Sequence, residues 1–232
     1  MKTIGLIGGM SWESSAEYYK IINETVKARL GGLHSAQLLL YSVDFEEIET
    51  LQHAGDWQKA TEFMIEAAKR VEKGGADFVL ICTNTMHKMA DEVQSNIGIP
   101  LLHIADAAAL KITAQGLQTV GLLGTKFTME EDFYKGRLKE KYSLDVIIPE
   151  AEDRKTVHNI IYQELCLGEI RESSREKMKT IIRTLVSEGA EGIILGCTEI
   201  PLLIEQKDSP VPIFDTTRIH AEAAVEKALA DL

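Results

Sequence analysis

Residues 3–8 read Thr-Ile-Gly-Leu-Ile-Gly, and residues 119–124 read Thr-Val-Gly-Leu-Leu-Gly. Each is a short apolar run that ends on glycine ahead of a turn and a helical pattern, as a buried strand opening a βα unit does. Two further stretches recur in the same order and at nearly constant spacing. Gly75-Ala-Asp-Phe-Val-Leu-Ile-Cys-Thr-Asn-Thr85 returns as Gly189-Ala-Glu-Gly-Ile-Ile-Leu-Gly-Cys-Thr-Glu199, and Pro100-Leu-Leu-His103 returns as Pro212-Ile-Phe-Asp215. One glycine-bearing strand matches by chance easily; three in register do not. The chain therefore reads as two similar α/β halves.

The remaining pattern agrees. Apolar runs at 3–7, 37–43, 78–81, 101–104, 120–123, 144–148, 192–195 and 211–214 are rich in Ile, Leu and Val and lack clean alternation. That suits strands buried on both faces of a parallel sheet. Helical patterns lie between them, at 14–30, 57–73, 86–95, 105–115, 129–142, 154–167, 173–188 and 217–230. The expected fold class is α/β, with two pseudo-symmetric parallel-sheet domains and the active site in the cleft between them. The first domain is expected to be 1–106 plus 211–232, the last strand and helix returning to it, and the second 107–210.

Composition sets the outer limits. The 232 residues are 45% hydrophobic and 26% charged, which excludes a disordered or collagen-like chain. A formal net charge of −11 gives no global attraction to phosphate backbones, so no nucleic-acid partner is expected. Three cysteines, Cys82, Cys166 and Cys197, do not make a disulfide scaffold and suit a reducing compartment. No run reaches the ~18 consecutive apolar residues of a membrane span. The N-terminal run ends in Gly-Gly and a polar stretch instead of a cleavage site. A cytoplasmic protein without membrane contact is expected.

The motifs fall at strand ends, where ligands of parallel α/β sheets bind. Gly196-Cys197-Thr198-Glu199 places a thiol after a buried strand, where it can serve as base or nucleophile or simply fill space. In the ungapped repeat Thr83 falls opposite Cys197. Thr83, Asn84 and Thr85 offer hydroxyl and amide groups suited to a carboxylate, although Asn84 or Thr85 suits a helix N-cap equally. Gly8-Gly9-Met10-Ser11-Trp12 is a glycine-rich turn into a helix, a natural anion site, but it lacks dinucleotide and P-loop spacing. Thr125 and Thr128 are its counterparts and suit a carboxylate or plain turn capping alike. The histidines show no zinc spacing, so no metal is expected. Cys82 and Cys166 read as structural filler.

Together, Gly8–Trp12, Cys82-Thr83-Asn84-Thr85-Met86-His87, Gly124-Thr125-Lys126-Phe127-Thr128-Met129 and Gly196–Glu199 resemble the aspartate/glutamate racemase family, along essentially the whole chain. The resemblance implies a racemase that works without pyridoxal phosphate or any other cofactor, on a small amino-acid substrate, as a homodimer. It also implies two cysteines acting on opposite faces of the substrate α-carbon. One removes the α-proton and the other returns a proton from the far side.

Here the first of those cysteines is replaced. Its place is taken by Thr83, while Cys82 stands one residue earlier and faces the other way. A threonine hydroxyl is a far poorer base than a thiol with an ordinary pKa of about 8.5. The expected enzyme therefore uses Cys197 as thiol base and Thr83 in place of its partner, with a bias toward the L-substrate. Met10, Ser11, Asn84, Thr85, Thr125, Thr128, Thr198 and Glu199 are the expected substrate-binding residues. The family's frequent Lys in its Ile-Tyr-x-Glu-x-Lys-type helix is Cys166 here, and the basic residues that commonly bind the distal carboxylate of aspartate are not evident at the matching positions. Two rival readings remain at this point. One is a decarboxylase or isomerase of a related dicarboxylate, which needs a single cysteine; the other is a binding protein that has lost a catalytic group.

Overall fold

The apolar runs form eight parallel strands in two four-stranded sheets of the same design, in a computed structural model that describes residues 1–230. The first sheet holds β1 (Ile4–Gly8), β2 (Leu38–Ser42), β3 (Phe78–Ile81) and β4 (Leu101–Leu102), in the order β2-β1-β3-β4. The second holds β5 (Thr119–Gly124), β6 (Asp145–Ile147), β7 (Gly192–Gly196) and β8 (Ile213–Asp215), in the order β6-β5-β7-β8. Replacing each strand by its repeat counterpart turns one order into the other.

Parallel strands need crossovers, and helices supply them. In chain order these are α1 (Trp12–Leu30), α2 (Phe45–Ala54), α3 (Trp57–Lys73), α4 (Ala90–Ser95), α5 (Ile104–Thr113), α6 (Lys126–Glu130), α7 (Asp132–Tyr142), α8 (Ala151–Gln163), α9 (Glu172–Ser187) and α10 (Thr216–Leu229). The repeated glycines mark where helix meets sheet. A Cβ on Gly5 would lie 2.3 Å from Val71 Cγ1 of α3, and one on Gly121 would lie 3.0 Å from Leu185 Cδ1 of α9. At Gly5, where the Phe78 carbonyl oxygen also lies 2.9 Å away, only glycine allows the approach; at Gly121 a larger residue would press the ends of the Leu185 and Ile193 side chains.

The chain divides into two units, Met1–Ile104 with the stretch from His220 onward, and Ala105–Ile219. The first unit has a core on each face of its sheet. Val79 and Ile81 face Met64, Ala67, Ala68 and Val71 of α3, while Phe78 and Leu80 share the opposite cluster with Ile4, Leu6, Tyr18 and Ile22. Ala221, Ala224, Val225 and Ala228 of α10 complete that second cluster. Neighbouring residues of one strand thus enter different cores, which is why the runs read as continuously apolar. In the second unit Val120, Leu122, Leu123, Ile193, Ile194 and Leu195 are buried in the same way.

Three expectations need correction. The final strand does not return to the first sheet. Residues Ile213, Phe214 and Asp215 pair with Ile193, Ile194 and Leu195, so the division falls at 219/220 and not at 211. Only the helix after that strand returns, drawn by its alanine-rich apolar stripe. The helix α2 had no counterpart in the expected pattern, although Asp44 caps it and Gly55 ends it in the left-handed conformation. The helix expected at 129–142 is two, because Glu131 is extended between α6 and α7. Among the described residues, no helix is long and apolar enough to cross a membrane.

Candidate active site

The first unit's candidate residues follow β1 and β3. After β1, Gly9 takes φ +95°, and a Cβ there would lie 2.2 Å from the Val43 carbonyl oxygen. The Gly9 N–H donates to Ser15 Oγ at 2.7 Å, and that hydroxyl donates to the Ser11 carbonyl at 2.9 Å. Ser11 caps α1, its Oγ accepting from the Ser14 N–H. Ser11 and Gly9 therefore use their polar groups to shape the loop. The Met10 side chain lies in the hydrophobic core with Ile7 and Val43.

After β3 the chain turns sharply. Cys82 is fully buried in the Phe78–Leu80 cluster, on the opposite face from α3, and burial pushes its thiol far above the ordinary range. Thr83 is half-buried at the bend, whereas Asn84 and Thr85 are buried and lead into a 3₁₀ turn, Thr85–Met89. Asn84 makes no capping bond to that turn. Instead its carbonyl accepts from the His87 N–H at 3.0 Å, and the His87 ring reaches the Thr83 carbonyl at 2.7 Å.

In the second unit Thr125 caps α6 as Ser11 caps α1. Its Oγ1 accepts from the Thr128 N–H at 3.3 Å and lies 3.2 Å from Thr128 Oγ1. Both halves thus place a hydroxyl cap over the third residue beyond it, the first loop being longer by Gly9 and Met10.

Cys197 follows β7 and is 7% exposed. Its Sγ–H donates to Glu199 Oε2 at 2.9 Å, and Thr198 Oγ1 donates to the same oxygen at 2.8 Å. Burial holds the thiol well above its ordinary range; the negative charge of Glu199 adds to this, and Cys166 contributes further. At rest Cys197 is a neutral thiol beside a buried carboxylate. Proton transfer from Sγ to Glu199 would relocate the site's negative charge without adding a second. Burial opposes that far less than ionising the thiol into bulk water.

Several further polar groups were not among the expected site residues. Gln52, buried on the unforeseen α2, donates to Met86 Sδ at 3.1 Å. Its pointer in the sequence is the pair of signals that start and stop α2, Asp44 and Gly55. At the end of β8, Asp215 Oδ1 accepts the N–H groups of Thr217 and Arg218, and Thr216 Oγ1 donates to the Leu195 carbonyl. The Thr217 hydroxyl is buried and has no hydrogen-bond partner. Among the described residues, no group of three or more His, Cys, Asp or Glu is arranged to hold a metal ion.

The chain matches known proteins along its length. The Asp/Glu/hydantoin racemase family profile spans residues 7–224. The broad specificity amino-acid racemase RacX of Bacillus subtilis is 23% identical over 239 residues, covering 98% of this chain and 98% of that protein. A crystal structure of a Yersinia pestis protein proposed as an Asp/Glu racemase is 56% identical, covers 99% of this chain and 100% of its own, and superposes with a TM-score of 0.93. An aspartate racemase homologue from Pyrococcus horikoshii OT3 is 38% identical with a TM-score of 0.85, covering 98% and 99%.

Proposed function

The chain belongs to the Asp/Glu/hydantoin racemase family, and on that premise we propose that it inverts the α-carbon of an acidic amino acid, aspartate or glutamate, without a bound cofactor. The observation that carries the reading is the 2.9 Å contact between Cys197 Sγ and Glu199 Oε2 at the end of β7. A general base must be able to lose its own proton first, and this thiol has an acceptor within hydrogen-bond reach.

The steps follow from that pair. The thiol proton passes to Glu199, leaving a thiolate. The thiolate takes the α-proton of the L-substrate, and the electron pair of the broken C–H bond spreads into the α-carboxylate. Asn84 and Thr85 supply the side-chain donors that hold that carboxylate as charge builds on it, and Thr198 contributes there through its backbone N–H while its hydroxyl stays on Glu199. Ser11, Thr125 and Thr128 keep the neighbouring loops in shape, and Met10 packs beneath one of them. Thr83 returns a proton to the other face and regains one from water, which its half-buried position admits, and Glu199 releases the former thiol proton to solvent, so that both sides return to their starting state. A hydroxyl releases a proton less readily than a thiol of ordinary pKa about 8.5, so the L-side half-reaction runs faster than the D-side one.

Deuterium exchange at Cα, measured separately from each enantiomer of aspartate and glutamate, tests this. Exchange is expected from the L-forms well ahead of the D-forms, and Cys197→Ala abolishes it. Equal rates from both hands refute the one-sided assignment. Release of CO2 from a dicarboxylate without exchange would make the protein a decarboxylase. Thr83→Cys is expected to raise turnover of the D-enantiomer.

A further inference from the structure

His87 lies 2% exposed in the first unit, behind the Thr83 bend. Its two ring nitrogens have fixed and different partners. Nδ1 sits 2.7 Å from the Thr83 carbonyl oxygen, and Nε2 sits 3.2 Å from the Ile104 amide nitrogen. A carbonyl only accepts and a backbone N–H only donates. One arrangement satisfies both: a neutral ring with its proton on Nδ1. The ring is held in place by His103, with centroids 4.5 Å apart, and by His220 at 5.8 Å.

The bend does not need this ring in order to close. The 3₁₀ turn already has its backbone bond from the His87 N–H to the Asn84 carbonyl at 3.0 Å. What the ring adds is a constraint on the Thr83 peptide itself, through the carbonyl next to the Thr83 side chain. We propose that His87 is a positioning residue for the proton-returning side: its Nδ1–H fixes the Thr83 peptide and so the direction of the Thr83 hydroxyl. The proposal rests on the assignment of Thr83 to that side. Small misplacements of a reacting group cost up to about a hundredfold in rate, so such an anchor matters.

Two variants separate the ring's two bonds. In His87→Asn the side-chain amide N–H reaches the place of Nδ1 and keeps the donor to Thr83. In His87→Gln the amide reaches the place of Nε2, where its oxygen accepts from Ile104, and the donor to Thr83 is lost. The readout is the ratio of D-product formed to deuterium washed into recovered L-substrate. This ratio isolates proton return from proton removal, and a general loss of folded protein leaves it unmoved. His87→Gln is expected to lower it by about tenfold and His87→Asn to restore most of it. Thr83→Val is the control and is expected to lower it at least as far. If Thr83→Val lowers the ratio and His87→Gln does not, the positioning role is overturned and the Thr83 assignment stands. If Thr83→Val leaves the ratio unchanged, the assignment fails and the proposal falls with it. A second measurement needs no variant. Nitrogen–proton correlation in histidine-labelled wild-type protein is expected to find the His87 proton on Nδ1, and a proton on Nε2 overturns the anchor.

Discussion

Acidification from pH 7 to pH 4 titrates a buried group of the first unit, His220. The ring is fully buried, and burial lowers its pKa from the ordinary 6.5 to about 4, against the opposing effect of its bond to the Leu102 carbonyl. In the unfolded chain the ring is in water and protonates near 6.5. Between these two values the unfolded chain binds a proton that the folded chain refuses, so stability is complete above the unfolded value and is lost as pH falls toward 4. At ~1.4 kcal/mol per decade of proton affinity, the loss is about 2 kcal/mol between pH 7 and 5 and about 3 kcal/mol by pH 4. His220→Gln supplies the reference. Its amide reaches the Leu102 carbonyl but does not titrate, and it leaves the Tyr18 hydroxyl, now 2.8 Å from Nδ1, without its acceptor. The variant is therefore about 1–3 kcal/mol less stable at pH 7. Urea unfolding followed by tryptophan fluorescence reads the right unit, because Trp12 and Trp57 both belong to the first one. The gap between wild type and variant is expected to narrow by about 2 kcal/mol at pH 5. A gap that stays constant with pH refutes the reasoning, since every other titrating group is common to both proteins.

Other sites give sharper local tests. Glu199→Gln removes the proton acceptor of Cys197 and is expected to slow Cα exchange by roughly a hundredfold at unchanged near-UV circular dichroism; an unaltered rate dismisses the thiol–carboxylate pair. Thr217→Val removes a buried hydroxyl with no partner, so the protein gains up to about 1 kcal/mol, and a lower melting temperature contradicts this. Gly9→Ala forces a Cβ onto the Val43 carbonyl at positive φ and costs about 3 kcal/mol, visible as a lower urea midpoint.

Most of the fold was legible because burial on both faces leaves a strong mark. Phe78, Val79, Leu80 and Ile81 enter two different cores, so none of the four is polar, and the run stands out. The repeat was legible because Gly5 and Gly121 each lie under a packed helix. The unforeseen α2 has only Ile48 and Gln52 buried, too little apolar surface for a periodic signal. The candidate site was legible only as residue types. Sequence marks Cys197 and Thr83 as candidates, but the hydrogen bond from Cys197 Sγ to Glu199 depends on a side-chain direction that spacing does not encode. The same holds for His87. Its hydrogen-bond partners are Thr83 and Ile104, the second of them distant in sequence, so only the folded chain joins them.

The return of α10 to the first unit also sets an order of events during synthesis. The second unit is one unbroken stretch and can finish folding once residue 219 has left the ribosome. The first unit, although begun earlier, lacks Ala221, Ala224, Val225 and Ala228 until those residues have been made. Until then, among the described residues of that cluster, α1 is the helix that packs on Leu6, Phe78 and Leu80. The half begun first closes its core after the other can, and one apolar face of its sheet stays partly open to water in the interval.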